Sequence, residues 1–578
     1  MPKSIRDRVS LNGFWKFSID PEQIGEEDEW FTNIPNPETI LVPSVWNTHR
    51  PELFYYSGVA WYATSFFCPS DWDDQQVSLI FGGVNRAAKI WVNGQLAGEH
   101  DLGYTQFSVD ISPYLKISKT NSLVVKVDGR MRENDLPPST RTDWFSYGGI
   151  YRKCYLRITS NCRIIDYKIK NSLSYDPFSA KIAFDVIVTD RTSPKRHSYE
   201  LMVNLTRESD TWIEKEPFVL ENELQNCHVE FAINNPALWS TDDPNLYDGV
   251  LTILKDGFQV DRVTFEWGIK DIAVDGKKIL LNGQPLTLCG VNWIEDHPYF
   301  GSTIPSRLIY YDLRLIKRAG INCIRPGNYP PDESVLRLAD RLGILIIEEI
   351  PAWSLTPEQM VNPLILKKAK QSLTEMIQRD KNHPCVIAWS LGSNCATDTD
   401  AGREFIAELA AYTREQDDRL LTFGSSAGIE DLCFDLVDFC GLTMFYGWYQ
   451  GTVEDFFDET VRIADKFHDE IGDRPIVMLG FGAGAIYGYR GPEYPRWSEN
   501  YQAYVLEQYI LHMTSLDHFA GGLIWTFQDY RINPSVQGQA TWLERPREYC
   551  NMGIVDEFRR SKMAYDVVMK LYNQWGKE

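Results

Sequence analysis

The residues best equipped for chemistry in this chain lie in its C-terminal half, each just after a short apolar run. Asn292, Glu295 and Asp296 follow the first run, Arg325 and Asn328 the second, and Glu348, Glu349 and Trp353 the third. Asn394, Asp398 and Asp400 follow the fourth, Tyr446 and Trp448 the sixth, and Trp525, Gln528, Asp529 and Arg531 the eighth. Paired carboxylates can divide acid and base work between them. Asp296, Glu349, Asp398 and Asp529 are the candidate acids. Trp353, Tyr446, Trp448 and Trp525 offer flat faces for stacking, and Asn394, Arg325, Asn328 and Arg531 offer hydrogen bonds. Of the adjacent pair Glu348 and Glu349, strand alternation sends one into the interior and the other toward neighbouring helices, where it serves as an ion-pair partner. His383 precedes a strand and reads as structural. His297 follows one and is open to either role, and Cys395 reads as a small buried residue because no paired base is identifiable.

The elements that must position these residues are strands alternating with amphipathic helices. Strands are expected at Thr287–Val291, Cys323–Arg325, Ile344–Glu348, Val386–Trp389, Leu421–Phe423, Phe439–Leu442, Ile476–Leu479 and Gly522–Trp525. Helical stretches such as Ser306–Ala319, Ser334–Leu342, Pro363–Asp380 and Ala401–Gln416 lie between them. Eight such units in about 300 residues predict a (β/α)₈ barrel with its chemistry at the C-terminal ends of the strands. Upstream, short alternating runs and the hairpin signal Asn93-Gly94 predict a β-sandwich over 1–160. Residues 161–274 continue in strands over a length that suits an immunoglobulin-like sandwich, leaving 275–578 for the barrel.

Composition narrows the partners. The 58 basic against 80 acidic residues give a net charge of −22, which repels nucleic acid and anionic membrane surfaces. The chain has 13% aromatic residues, 18 of them Trp, more than cores usually need and suited to flat ligands. Eleven scattered cysteines without metal-ligand spacing read as buried thiols, so neither a metal nor a cofactor is expected. No leader-like apolar run opens the sequence and no run of about 18 apolar residues follows, so the expectation is a soluble, cytoplasmic protein. The expected partner is a polar small molecule, with homo-oligomerisation left open.

Several stretches resemble glycoside hydrolase family 2, in particular its β-glucuronidase branch. In the first domain these are Leu11-Asn-Gly-Phe-Trp15, Trp91-Val-Asn-Gly94 and Tyr147-Gly-Gly-Ile-Tyr-Arg152, and in the second Asn235-Pro-Ala-Leu-Trp239 and Pro244-Asn-Leu-Tyr247. Gly290-Val-Asn292, Glu295-Asp296, Tyr329-Pro-Pro331 and Tyr446-Gly-Trp-Tyr449 fall in the barrel, and the set follows the family's order along essentially the whole chain. The resemblance implies a jelly-roll sandwich, an immunoglobulin-like sandwich, a (β/α)₈ barrel and retaining glycosidase chemistry with two carboxylates about 5–5.5 Å apart.

The same alignment of motifs implies that both carboxylates are gone. The acid/base pattern Trp-Ser-Leu-Gly-Asn-Glu reads Trp389-Ser-Leu-Gly-Ser393-Asn394, and the nucleophile of Pro-Ile-Val-Met-Thr-Glu-Phe-Gly-Ala is replaced by Gly480. An amide cannot protonate a leaving group and glycine has no side chain to form a glycosyl intermediate. Ile294, Asn328 and Thr443-Met-Phe445 also depart from the family's pattern, and Cys550-Asn-Met-Gly553 lacks the Asn-x-Lys signature for a sugar carboxylate, which disfavours glucuronides. Two readings follow. In one, relocated acids act on a bound glycoside by a non-standard route. In the other, the chain is an inactive pseudo-glycosidase that binds carbohydrate or serves as a scaffold. Gly480 then contributes to the site as space beneath the sugar.

Overall fold

The computed structural model describes residues 6–138, 142–192, 197–220, 222–533 and 545–576. Alternation of apolar and polar residues builds the first sandwich from two antiparallel sheets. Arg6–Ser10, Cys154–Thr159, Gln76–Phe81 and Phe107–Asp110 form the smaller. The larger has the order Glu38–Val42, Gly13–Asp20, Val59–Cys68, Lys119–Asp128, Ala87–Val92 and Gln95–His100. Inward residues such as Phe17, Tyr62, Leu79, Ile90, Val125 and Leu156 share one core. Asn93 and Gly94 both have positive φ, at 52° and 82°, and join the last two strands in a two-residue hairpin.

The second sandwich has a three-stranded and a four-stranded sheet. In Phe178–Asp190, Ala180, Ile182, Phe184, Val186 and Val188 are all buried, the period of two that one core-facing side requires. A small sheet of Ile272–Asp275, Lys278–Leu281 and Gln284–Leu286 then runs across the expected boundary at 275 and leads into the barrel.

Eight parallel strands close the barrel: Leu288–Trp293, Cys323–Pro326, Leu345–Glu349, Val386–Ser393, Leu420–Ser425, Cys440–Thr443, Ile476–Phe481 and Phe519–Ile524. The fourth runs four residues past its expected end, which carries the backbone up to Ser393 at the mouth. Several of the barrel helices begin at side-chain caps, with Asp332 accepting from Ser334 N and Thr399 from Gly402 N, so their first turns are fixed against the strands that precede them.

The first sandwich is pinned to the barrel mouth by buried polar contacts. Arg152 pairs with Glu295 at 2.5 Å, and the Tyr147 hydroxyl donates to Asp296 at 2.7 Å. The Asp143 carboxylate accepts from Tyr530 at 2.8 Å and pairs with Arg545 at 2.6 Å. These pairs set how the sandwich loop around Asp143 and Trp144 reaches over the strand ends.

Candidate functional site

A cavity of about 520 Å³ opens at the C-terminal ends of the barrel strands. Arg325, Trp353, Asn394, Trp448 and Trp525 line it, joined by Asp143, Ser393, Thr443, Phe445, Arg496 and Arg545. Each comes from a strand end or the loop after it, except Asp143, which the first sandwich supplies.

The floor is built around Arg325, which is fully buried. Its Nε and Nη2 donate to Glu349 Oε2 at 3.0 and 2.6 Å, and its Nη1 donates to Asn292 Oδ1 at 3.0 Å. Asn328 Nδ2 donates to the other Glu349 oxygen at 2.7 Å, and Ser390 Oγ donates to Oε2 at 2.5 Å. Glu349 is therefore enclosed behind Arg325, with both oxygens occupied by donors. Glu348 points the other way and pairs with Arg379 of the helix Pro363–Asp380, as alternation requires; burial and the nearby Asp380 hold its carboxyl well above the usual range.

Asn394 sits just past the fourth strand with φ 53°, a left-handed conformation that asparagine tolerates better than most side chains. Its Oδ1 accepts from Thr443 Oγ1 at 2.7 Å. Thr443 also borders Gly480: a side chain there would place its Cβ 3.2 Å from Thr443 Cγ2 and 3.6 Å from the Phe445 ring. Asn394 and Gly480 thus meet through one threonine, but Gly480 is not in the cavity lining: Thr443 and Phe445 stand over it and fill the space expected beneath a sugar. Trp353 and Trp525 form the aromatic wall, their rings stacked with centroids 6.1 Å apart. Trp448 packs edge-on against Trp497 and carries the Arg496 guanidinium over its face.

The remaining sequence candidates lie elsewhere, each for a local reason. Asp296 is buried under the first sandwich, where Tyr147 and the Arg531 backbone N–H satisfy it, and burial raises its pKa. Asp529 is buried with Lys562 Nζ at 2.7 Å, Asn551 Nδ2 at 3.1 Å and Gly553 N at 2.9 Å. It therefore turns away from the cavity that its neighbour Trp525 lines. Asp398 is exposed in the loop after the fourth strand. Arg531 lies between the Phe54 and Tyr549 rings, and Tyr446 is half-buried outside the lining, with its carbonyl accepting from Tyr509. Asn328 stands behind the floor, on Glu349. His297 packs on Phe300 away from the cavity, and burial lowers its pKa to about 4. His383 pairs with Asp340 at 2.5 Å. Burial pushes the Cys395 thiol up to about 12, the behaviour of an unreactive core cysteine.

Asp143, Ser393, Arg496 and Arg545 are lining residues that sequence patterns did not single out. Asp143 had one local signal, an acid inside the aromatic stretch that leads to Tyr147.

Family models match the chain end to end: the sugar binding domain of glycosyl hydrolases family 2 at 9–159, a second family 2 domain at 162–270 and the family's TIM barrel domain at 272–573. The chain belongs to glycosyl hydrolase family 2. Within it, the chain falls in the β-glucuronidase-like branch. It is 27% identical to a β-glucuronidase of Paenibacillus borealis, over 95% of this chain and 96% of that protein. The structure of a β-galacturonidase from Eisenbergiella tayi bound to galacturonate is similar, with 29% identity, a TM-score of 0.87 and coverage of 99% of this chain and 98% of that one. The β-glucuronidase of Ruminococcus gnavus in complex with C6-substituted uronic isofagomine gives 27% identity and a TM-score of 0.89, covering 100% and 98%. No helix among the described residues is long and apolar enough to cross a membrane.

Proposed function

We propose that this family 2 chain binds a glycoside or a related polar small molecule at the barrel mouth and does not cleave it by retaining double displacement. The observation that carries this reading is that Asn394 and Gly480 both border Thr443, which lines the cavity with Asn394 while Gly480 lies behind it. These are the positions that the sequence motifs assign to the acid/base and the nucleophile, and neither offers a carboxylate. Relocated acid chemistry has little to work with. Asp296, Asp398 and Asp529 lie outside the cavity, Glu349 is held by Arg325, and Asp143 is held by Arg545. Donors already occupy both oxygens of Glu349, and Tyr530 and Arg545 occupy those of Asp143, so neither carboxylate is free to reach a substrate. The geometry therefore favours the binding protein over the altered hydrolase. Trp353 and Trp525 supply the stacking wall, while Asn394, Ser393 and Arg325 supply hydrogen bonds.

The test is intact-mass spectrometry and calorimetry on the wild-type chain. Aryl β-glucosides, β-galactosides, β-glucuronides and β-galacturonides should give no burst of released phenol, and their 2-fluoro analogues should give no covalent adduct. Calorimetry with the parent glycosides should still register binding. An adduct on any carboxylate would overturn the proposal, as would the absence of any sugar ligand.

A further inference from the structure

The floor of the cavity holds more donors than its neighbours use. A guanidinium has five N–H bonds, and three of those on Arg325 go to Glu349 and Asn292, leaving two. Ser393 lines the same cavity and is buried, and its Oγ has no hydrogen-bond partner among the described residues. It meets Arg325 over Gly424, where the absence of a side chain makes room for both: a Cβ there would lie 3.3 Å from Arg325 Nη2. Asn394 gives its Oδ1 to Thr443, which leaves its Nδ2 as a donor. A buried hydroxyl without a partner is costly, so a floor of this kind is built to be completed by an acceptor.

The charge balance points the same way. Arg325 is neutralised by Glu349 and Arg545 by Asp143, while Arg496 at the rim has no carboxylate partner among the described residues. Among the described residues, the lining together with Glu349 behind it therefore carries one net positive charge. Carboxylates at positions 394 and 480 would turn that into one net negative charge, concentrated on both sides of the anomeric carbon. Without them, the place where a sugar's C1 substituent would lie changes from anionic to donor-rich.

We propose that this floor is an oxyanion site for a sugar derivative whose negative charge sits at C1, either a carboxylate or a phosphate. The proposal rests on the reading above, that positions 394 and 480 are the two lost carboxylates. Arg325, Ser393 and Asn394 hold the anion, and Trp353 and Trp525 stack on the carbon skeleton.

Calorimetry on the wild-type chain tests it with D-galactose, D-galactonate and β-D-galactose 1-phosphate, the corresponding gluco compounds, and inorganic phosphate. Either anionic derivative should bind about tenfold or more tightly than its neutral parent, and the two derivatives together tell carboxylate from phosphate. In Asn394→Glu the ratio of anion to neutral affinity should fall by at least as much, because a carboxylate returns to the floor. Ser393→Ala, which removes only a hydroxyl, should lower the ratio severalfold and keeps the test available if the charge is not tolerated in folding. Neutral and anionic sugars binding alike would overturn the anion site and leave the glycoside-binding reading standing. Inorganic phosphate binding as tightly as the sugar phosphate would also overturn it. If no sugar binds, charged or neutral, both proposals fail.

Discussion

Replacing Asp529 with asparagine should change how the stability of the barrel depends on pH. Asp529 is fully enclosed, and burial, opposed by Lys562 and Asn551, raises its pKa to about 6. An unfolded aspartate titrates near 4, so the shift is roughly two units, or ~3 kcal/mol at about 1.4 kcal/mol per unit. A carboxyl whose folded value is raised contributes fully below the unfolded value, where both states are protonated. That contribution is lost as pH rises through the folded value. Wild-type stability attributable to this group therefore falls by ~3 kcal/mol between about pH 4 and pH 6 and is level above that. The amide of the Asp529→Asn variant cannot titrate, so this pH-dependent contribution is absent from the variant. Denaturant unfolding of both proteins at pH 4, 5, 6 and 7, followed by tryptophan fluorescence, gives the difference directly. A difference that is flat across the series would refute the assignment of a desolvated, half-compensated carboxylate. Ligand binding should be unchanged in Asp529→Asn, because the side chain faces Lys562 and Gly553 rather than the cavity.

Glu349→Gln should cost about 3–5 kcal/mol in denaturant unfolding, because it leaves the fully buried Arg325 charge without its counterion; a loss below about 1 kcal/mol would show that the guanidinium finds another partner. Trp525→Ala should weaken glycoside binding measured by calorimetry by about tenfold, since it removes a stacking contribution of about 0.5–1.5 kcal/mol as well as apolar contact area, and unchanged affinity would move the ligand off the Trp353–Trp525 wall.

What the sequence by itself determined is what local period and composition can carry. The eight barrel strands lie within a few residues of where short apolar runs placed them, and the helix Pro363–Asp380 has the expected ends, because burial of one helix face or of a whole parallel strand leaves a readable pattern. The Asn93-Gly94 hairpin was legible for the same reason, a backbone demand met by two adjacent residues. That Glu348 and Glu349 point opposite ways followed from strand alternation alone, whereas the pairing of both with arginines did not. Which acids reach the cavity was decided only by tertiary structure. Asp143 meets Tyr530 and Arg545 across 387 and 402 residues, when the first sandwich docks on the mouth of the closed barrel. Asp529 follows a barrel strand just as a site residue would, yet Lys562 and the backbone N–H of Gly553 claim it. A strand end specifies that a side chain lies near the mouth. Whether it faces ligand or a partner depends on desolvation and charge pairing among residues far apart in the chain, and those energies have no signature in sequence spacing.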